Sequence, residues 1–411
     1  MRILVHDYAG HACQVQLSRE LASRGHQVLH LHFHELQTPK ADLQRRPDDP
    51  QTFSVEGVRL GQPFRKQTLL RRRQQELTYA ARTARRIVEF APEVVLSANT
   101  PLEVQRILMR HAKATDARFV FWMQDFYSIA VESLLTKKIG FLGRLIGKYY
   151  RMLEKHLLRS SDQVVFITSD FVPVARSWGV AAERCHVIEN WAPLRDFAPQ
   201  LPDNPWRRRH GLADKLVILY AGTIGMKHSP SLLLGLAEAW RDDPCIQVVV
   251  VSEGPGRSWL EDARAARGLS NLTLLDYQPY EELPQVLASG DILLAVLDRD
   301  AGTFAVPSKV LSYLCAARPL LLAVPGANLA ARTVAAAEAG IVVEPDDIAS
   351  LVDACRRLVD DQTLRETFGR NGRKYAERHF EIKNIADQFE RILDKDLAPR
   401  VLMGSAAVKT A

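Results

Sequence analysis

Along most of the chain, short apolar runs alternate with longer segments whose apolar residues recur every three or four positions. In the first half, Arg2–Asp7, Gln27–Phe33, Glu93–Ser97, Arg118–Met123, Gln163–Thr168 and His186–Glu189 predict strands. Between them, Gln14–Arg24 before Gly25, Leu77–Phe90 before Pro92, and Gly147–Leu158 have helical spacing. The polar stretch Gln37–Gln51, with its prolines, predicts a loop. The second half repeats the alternation, with strands at Leu216–Tyr220, Gln247–Val251, Leu272–Leu275, Ile292–Leu297, Leu320–Val324 and Ile341–Val343. Tyr375–Phe380 and Ile382–Leu393 close the chain with helical patterns.

Strands alternating with helices predict parallel sheets covered on both faces, and two such series predict an α/β protein of two doubly wound, Rossmann-like domains. A length of 411 residues agrees, being too great for one ordinary core. Pro193, Pro199, Pro202 and Pro205 mark a stiff connector over Asn190–Trp206. The expected units are residues 1–197, residues 198–374, a terminal helix over 375–396 and a frayed tail over 397–411.

Charge sharpens the division. Residues 1–197 hold 29 Lys and Arg against 20 Asp and Glu, a balance of +9, which leaves −3 for the rest of a chain of net charge +6. A basic first half suits an anionic partner, and a solvated surface of arginine-rich helices is the equal alternative. Nucleic acid is disfavoured, because the basic residues lack interleaved aromatics or a known binding module. The five cysteines are scattered and odd in number, as free thiols in a reducing compartment would be. Met1–Leu4 runs straight into His6-Asp7, and no apolar run is long enough to span a bilayer. The expectation is a cytoplasmic chain.

Candidate chemistry concentrates where strands end. After Ile292–Leu297 the chain passes through a polar turn to Pro307-Ser308-Lys309, where a helix opens. Ser308 is the expected N-cap, and free N–H groups beside a lysine suit a phosphate. After Leu216–Tyr220, Gly222 and Gly225 allow close backbone approach, with Lys227 within reach of an anion. Taken alone, that turn is an ordinary strand-to-helix connection; two lysines on neighbouring loops can neutralise a diphosphate without a metal. His30, His32 and His34 alternate on one strand face, but three in-line histidines rarely close a metal site, and no metal is expected.

The segment Thr303–Pro319 resembles the nucleotide-sugar segment of family 4 glycosyltransferases through Pro307, Lys309, Tyr313, Ala316 and Pro319. The resemblance extends over nearly the whole chain and implies the GT-B fold, two Rossmann-like domains facing across a cleft. It implies that Gly222, Thr223, Gly225 and Lys227 face the donor diphosphate, and that the Gly-Pro-Gly turn after Val249–Val251 brings Glu253 and Gly254 to the donor. Backbone near Tyr277 and Gln278 would cradle a uracil edge, and Thr303 would bond the sugar. The family's paired glutamates would fall at Phe304 and Ser312, and neither is acidic. Ser312 keeps a hydroxyl for the ribose.

On the acceptor side, Gly10 and His11 resemble the family's cleft-lining loop. Asp125, after the strand Arg118–Met123, would orient or deprotonate the acceptor hydroxyl; capping the next helix is the even alternative. Asn190 looks like part of the hinge. The resemblance implies a metal-independent, retaining transfer with no cofactor beyond a UDP-sugar co-substrate, the diphosphate helping to deprotonate the attacking hydroxyl while Lys227 and Lys309 hold its charge. The acceptor would be a lipid-linked or growing glycan of a cell-surface polysaccharide, and a hexosyl or aminodeoxyhexosyl (fucosamine-type) transferase is the nearest pattern. Ser133–Leu158, apolar at helical spacing and rich in lysine, suits peripheral contact with the inner membrane face, with a core-packed helix as the plainer alternative. A non-catalytic nucleotide-binding scaffold and a GT-B sugar-nucleotide epimerase are the rival readings.

Overall fold

A computed structural model of the chain describes residues 1–38, 40–65, 68–98, 100–224, 228–300 and 305–394. The first half runs β1 (Arg2–Asp7), α1 (Ala12–Ser23), β2 (Gln27–Phe33), β3 (Phe53–Val58), α2 (Leu69–Phe90), β4 (Val94–Ala98), α3 (Leu102–Ala114), β5 (Arg118–Met123), α4 (Tyr127–Ser160), β6 (Gln163–Phe166), α5 (Phe171–Ser177) and β7 (Cys185–Val187). The described strands form a parallel sheet in the order β3-β2-β1-β4-β5-β6-β7. Ile3, Leu4, Leu31, Val95, Leu96, Phe119 and Trp122 are wholly buried, because helices cover both faces of so apolar a sheet.

The second half runs α6 (Pro205–Arg209), β8 (Leu216–Ala221), α7 (Pro230–Ala239), β9 (Ile246–Val251), α8 (Pro255–Arg267), β10 (Leu272–Leu275), α9 (Leu283–Ala288), β11 (Ile292–Val296), α10 (Lys309–Cys315), β12 (Leu320–Ala323), α11 (Leu329–Ala336), β13 (Gly340–Val343), α12 (Ile348–Asp360), α13 (Gln362–His379) and α14 (Ile382–Leu393). Its sheet, also parallel, has the order β10-β9-β8-β11-β12-β13. In each sheet the order reverses beside the first strand, between β1 and β4 and between β8 and β11. At such a switch point the loops splay apart and leave a crevice.

The connector departs from the stiff linker expected of it. Trp191 and Phe197 are buried, and Trp191 stacks on Trp122 at 5.8 Å and 14°. Phe389 of α14 meets Trp122 edge-on at 4.8 Å. Arg24 pairs with Asp387 and Glu390, both at 2.6 Å, and Arg118 donates to the carbonyls of Ile392 and Leu393. The last helix is thus seated on the first sheet's domain.

Several elements differ from the sequence expectation: α3 is not among the expected helices, and the terminal helix expected over 375–396 is divided between the end of α13 and α14. Strand β3, absent from the expected strands, carries Ser54, Glu56 and Gly57 among its apolar residues, a mixed pattern that an edge strand with one neighbour tolerates. Helix α2 begins at Leu69 rather than Leu77, its first turns carrying the polar Arg71–Arg73. Helix α4 replaces the single helix expected near Gly147–Leu158 with a hairpin. At Ile139 and Gly140 the backbone leaves the helical region, Gly140 taking φ 55°, ψ −126°. The limbs 127–138 and 141–160 then pack against each other through Gly143 and Gly147. A Cβ on Gly143 would lie 2.1 Å from the Leu135 carbonyl oxygen, and one on Gly147 would lie 2.6 Å from Glu132.

Candidate functional site

A cavity of about 510 Å³ opens between the carboxyl ends of the two sheets. From the first domain it is lined by His11, Lys40, Gln124, Asp125 and Asn190, and from the second by Gly222, Thr223, Tyr277, Gln278, Pro307, Ser308, Lys309 and Ser312. The structure therefore brings most of the residues singled out in the sequence to one place. Gly10, Glu253 and Gly254 do not line it. Gly225, Lys227 and Thr303, with Phe304, lie outside the described residues.

The β8 end is built around Lys309. Its ammonium donates to the hydroxyl of Tyr220 and sits 4.0 Å from that ring's centroid. The buried Tyr220 hydroxyl passes its own hydrogen to the Thr223 carbonyl at 2.9 Å, so lysine, tyrosine and turn form one chain of bonds. Gly222 takes φ +142°, and a Cβ there would come within 2.9 Å of Lys309 Cε. Glycine gives both the conformation and the space. Tyr313, wholly buried at the back of α10, accepts from the Ala221 amide at 2.9 Å and fixes the strand end.

The start of α10 corrects one expectation. Ser308 has helical dihedrals, φ −62° and ψ −23°, and makes no side-chain cap bond. Its backbone has already turned into the helix, so it does not act as the N-cap. Ser312 bonds back to the Lys309 carbonyl at 2.9 Å.

Toward β10, the Gln278 side chain is fully engaged: its carbonyl accepts from the Trp206 indole at 2.9 Å and its amide donates to the Asp276 carbonyl at 2.9 Å. Tyr277 shares a hydrogen bond with Thr223, and burial, helped by the Glu253 charge, raises its phenol above the ordinary value. Gly254 takes φ +106° in the turn after β9, its missing Cβ 3.3 Å from the Ile224 carbonyl oxygen.

Across the cavity, the loop Tyr8–His11 is tied down by Asp7, whose carboxylate accepts from the amides of Ala9 and His11. Gly10 takes φ +81° inside that loop. Asp125 is exposed at the end of β5. The amides that open α4 go to Glu154, which accepts from Tyr127 N at 3.0 Å, Ser128 N at 3.2 Å and the Ser128 hydroxyl at 2.5 Å. Glu154 comes from the returning limb of the hairpin and is wholly buried; burial pushes its carboxyl up to about 7 against the lowering effect of those bonds. Sequence reasoning missed it. The available signal was a carboxylate on the apolar stripe Tyr150, Leu153, Leu157. Asn190 and Gln124 pair amide to amide, Asn190 donating at 2.6 Å, at the base of the connector.

The family model for the glycosyl transferase 4-like domain matches residues 10–191, and that for glycosyl transferases group 1 matches residues 203–375. The chain belongs to the family 4 glycosyltransferases. Among its relatives, a protein of Escherichia coli (strain K12) named for colanic acid biosynthesis, the glycosyl transferase WcaI, is 29% identical over 291 residues, 68% of either chain. The alpha-D-kanosaminyltransferase of Streptomyces kanamyceticus is 27% identical over 262 residues, 61% of this chain and 64% of that one. An Anabaena protein, Alr3699/HepE, solved in complex with UDP and glucose, superposes with a TM-score of 0.71 at 14% identity, covering 96% of this glycosyltransferase and 99% of that chain. At that identity the superposition speaks for the GT-B fold alone.

Proposed function

We propose that this glycosyltransferase moves a hexose-derived sugar from a UDP-sugar to a hydroxyl of a lipid-linked or growing glycan during polysaccharide assembly, with retention of anomeric configuration. The observation that carries the reading is Lys309, lodged on Tyr220 and over Gly222 at the cavity between the two sheets. A leaving UDP gains charge as the glycosidic bond breaks, and a fixed ammonium in a confined cleft stabilises that charge more than it does the bound donor. The colanic acid relative supports the polysaccharide assignment, and the UDP donor follows from the family resemblance of the donor-side segments.

In the proposed step the acceptor hydroxyl bonds to the anomeric carbon on the face from which the diphosphate departs. Its proton passes to a leaving-group oxygen. Asp125, exposed at the cavity, orients the acceptor hydroxyl, and Lys309 together with Lys227 meets the charge without a metal.

Peripheral membrane contact belongs to the same reading. No described helix is long and apolar enough to cross a membrane. At the hairpin tip of α4, Phe141 is 73% and Leu142 58% exposed, with Ile139 and Leu145 also exposed. Lys137, Lys138 and Arg144 flank them in the sequence, Lys137 pairing with Asp300 at 2.8 Å. Apolar side chains flanked by cations suit the headgroup region of an anionic bilayer on the cytoplasmic side.

A nucleotide-binding scaffold is the second reading, favoured by Ser312 standing where the family resemblance places a glutamate and bonding back to its own helix. The test is thermal stabilisation by UDP, GDP, ADP and UDP-sugars on the wild type and Lys309→Ala. A ligand at about 100 times its Kd stabilises by roughly 2.7 kcal/mol. A UDP shift that vanishes in the variant, followed by sugar transfer to glycan acceptors, supports the transferase; a shift without turnover favours the scaffold; no nucleotide shift overturns both.

A further inference from the structure

A second cavity, about 750 Å³, adjoins the first, and Lys40 and Tyr280 line both. One wall is the β2–β3 pair, where Gly57 stands opposite His32 in register. A Cβ on Gly57 would lie 2.9 Å from His32 Nε2 and 3.1 Å from His34 Nδ1, so this glycine makes room for two imidazoles. His32 is only 6% exposed, and its buried Nδ1 has no hydrogen-bond partner.

The other charged groups of this cavity fall into two sets. Asp42 and Asp196 are matched inside the protein: Arg46 reaches Asp42 at 2.9 Å and Asp196 at 4.0 Å, and Tyr280 donates to Asp196 at 2.9 Å. Glu281 is the remaining carboxylate, exposed on the far side. On the β2–β3 wall, the Arg59 guanidinium and the His34 ring make no hydrogen bond or ion pair among the described residues. Lys40 donates to the carbonyls of Phe33 and His34 and stands at the passage between the cavities. Uncommitted donors therefore gather on one wall. A metal is the poorer occupant, since no three potential ligands converge among the described residues.

We propose that this second cavity receives an anionic group of the acceptor, a carboxylate or a phosphate, held by His32, His34, Arg59 and Lys40 while the acceptor's reacting hydroxyl lies in the main cavity. The inference rests on the transferase reading, and it narrows the acceptor to a charged one. A planar guanidinium and two imidazoles on one wall match the oxygens of either anion.

The test titrates glucuronate, for a sugar carboxylate, and glycerol 1-phosphate, for a carrier phosphate, into the wild type, the double variant His34→Gln/Arg59→Gln, and Lys309→Ala. His34 and Arg59 are exposed, so their replacement leaves the fold intact. The expected result is that wild type and Lys309→Ala bind one probe, with shifts in the imidazole signals of His32 and His34. The double variant then binds it about tenfold more weakly or worse, and its UDP affinity is unchanged. The probe that binds identifies the source of the anion. Equal binding by the double variant, loss in Lys309→Ala instead, or no binding of either probe at millimolar concentration overturns the proposal. Failure of UDP to bind any of the proteins would overturn the donor reading alone, because the anion comparison does not depend on it.

Discussion

Lys309 lies against the bare Cα of Gly222, closely enough that a methyl group at 222 would come within 2.9 Å of the lysine Cε. Two separate strand ends, those of β8 and β11, are thereby matched to each other.

Gly222→Ala tests that match. The backbone at φ +142° strains any side chain, at about 1–3 kcal/mol, and the new methyl displaces Lys309. We expect a lower denaturation midpoint and, separately, a UDP affinity at least tenfold below that of the wild type, as read by titration at a temperature where the variant is fully folded. Unaltered UDP binding would show that the lysine works from another position.

Tyr220→Phe keeps the ring beneath the ammonium and removes the hydroxyl that links Lys309 to Thr223. The loss is of the order of 1 kcal/mol in stability, with a several-fold weaker UDP affinity. Equilibrium unfolding and titration calorimetry on the same sample separate the two effects.

Glu154 gives a pH signature. Burial holds its carboxyl at about 7 in the folded protein, above its ordinary 4.5. The folded state therefore keeps a proton that the unfolded chain releases, and this contribution to stability falls as pH rises from 4.5 to about 7, by up to about 3 kcal/mol. Above pH 7 it is flat. Glu154→Gln removes the slope, so the Tm of wild type minus that of the variant should decrease between pH 5 and pH 8. A constant difference would mean that the group ionises normally.

His6, His30 and His32 act in the opposite sense. Burial lowers His6 to about 3 and His32 to about 4, and drives His30 well down, with neighbouring positive charge adding to each. Below pH 6.5 the unfolded chain takes up protons that the fold refuses, so stability is lost as pH falls through 6.5 toward 4. Three such groups outweigh the single opposing slope of Glu154. Scanning calorimetry should show a lower Tm at pH 5.5 than at pH 7.5, with a smaller drop in His6→Asn.

Phe141→Ser/Leu142→Ser should abolish co-sedimentation with anionic vesicles while leaving UDP binding intact, since both side chains are exposed at the hairpin tip. Retained sedimentation would place any membrane contact elsewhere.

Strand β1 matches its apolar run residue for residue, and the two parallel sheets follow from such runs because a strand buried on both faces must be apolar throughout. What depended on distant neighbours was hidden. Gly140, Gly143 and Gly147 look like weak points of one helix until the returning limb shows that each makes a turn or a close contact. Lys309 was legible from its place after a strand, whereas its anchor Tyr220 was only an apolar strand residue. The connector misled, since its four prolines outnumber the aromatic residues, Trp191, Phe197 and Trp206, whose burial anchors it.

The seating of Phe389 against Trp122, with Trp191 stacked on the same ring, has a consequence for synthesis. The first domain's strands leave the ribosome early, yet the wedge that closes over their tryptophans is among the last parts of the fold to be made. Until it arrives, the nascent first domain exposes an aromatic surface that invites wrong partners. The last described helix thus completes the aromatic packing of the first domain, and a chain truncated before residue 382 loses that closure while still containing every strand of the first sheet.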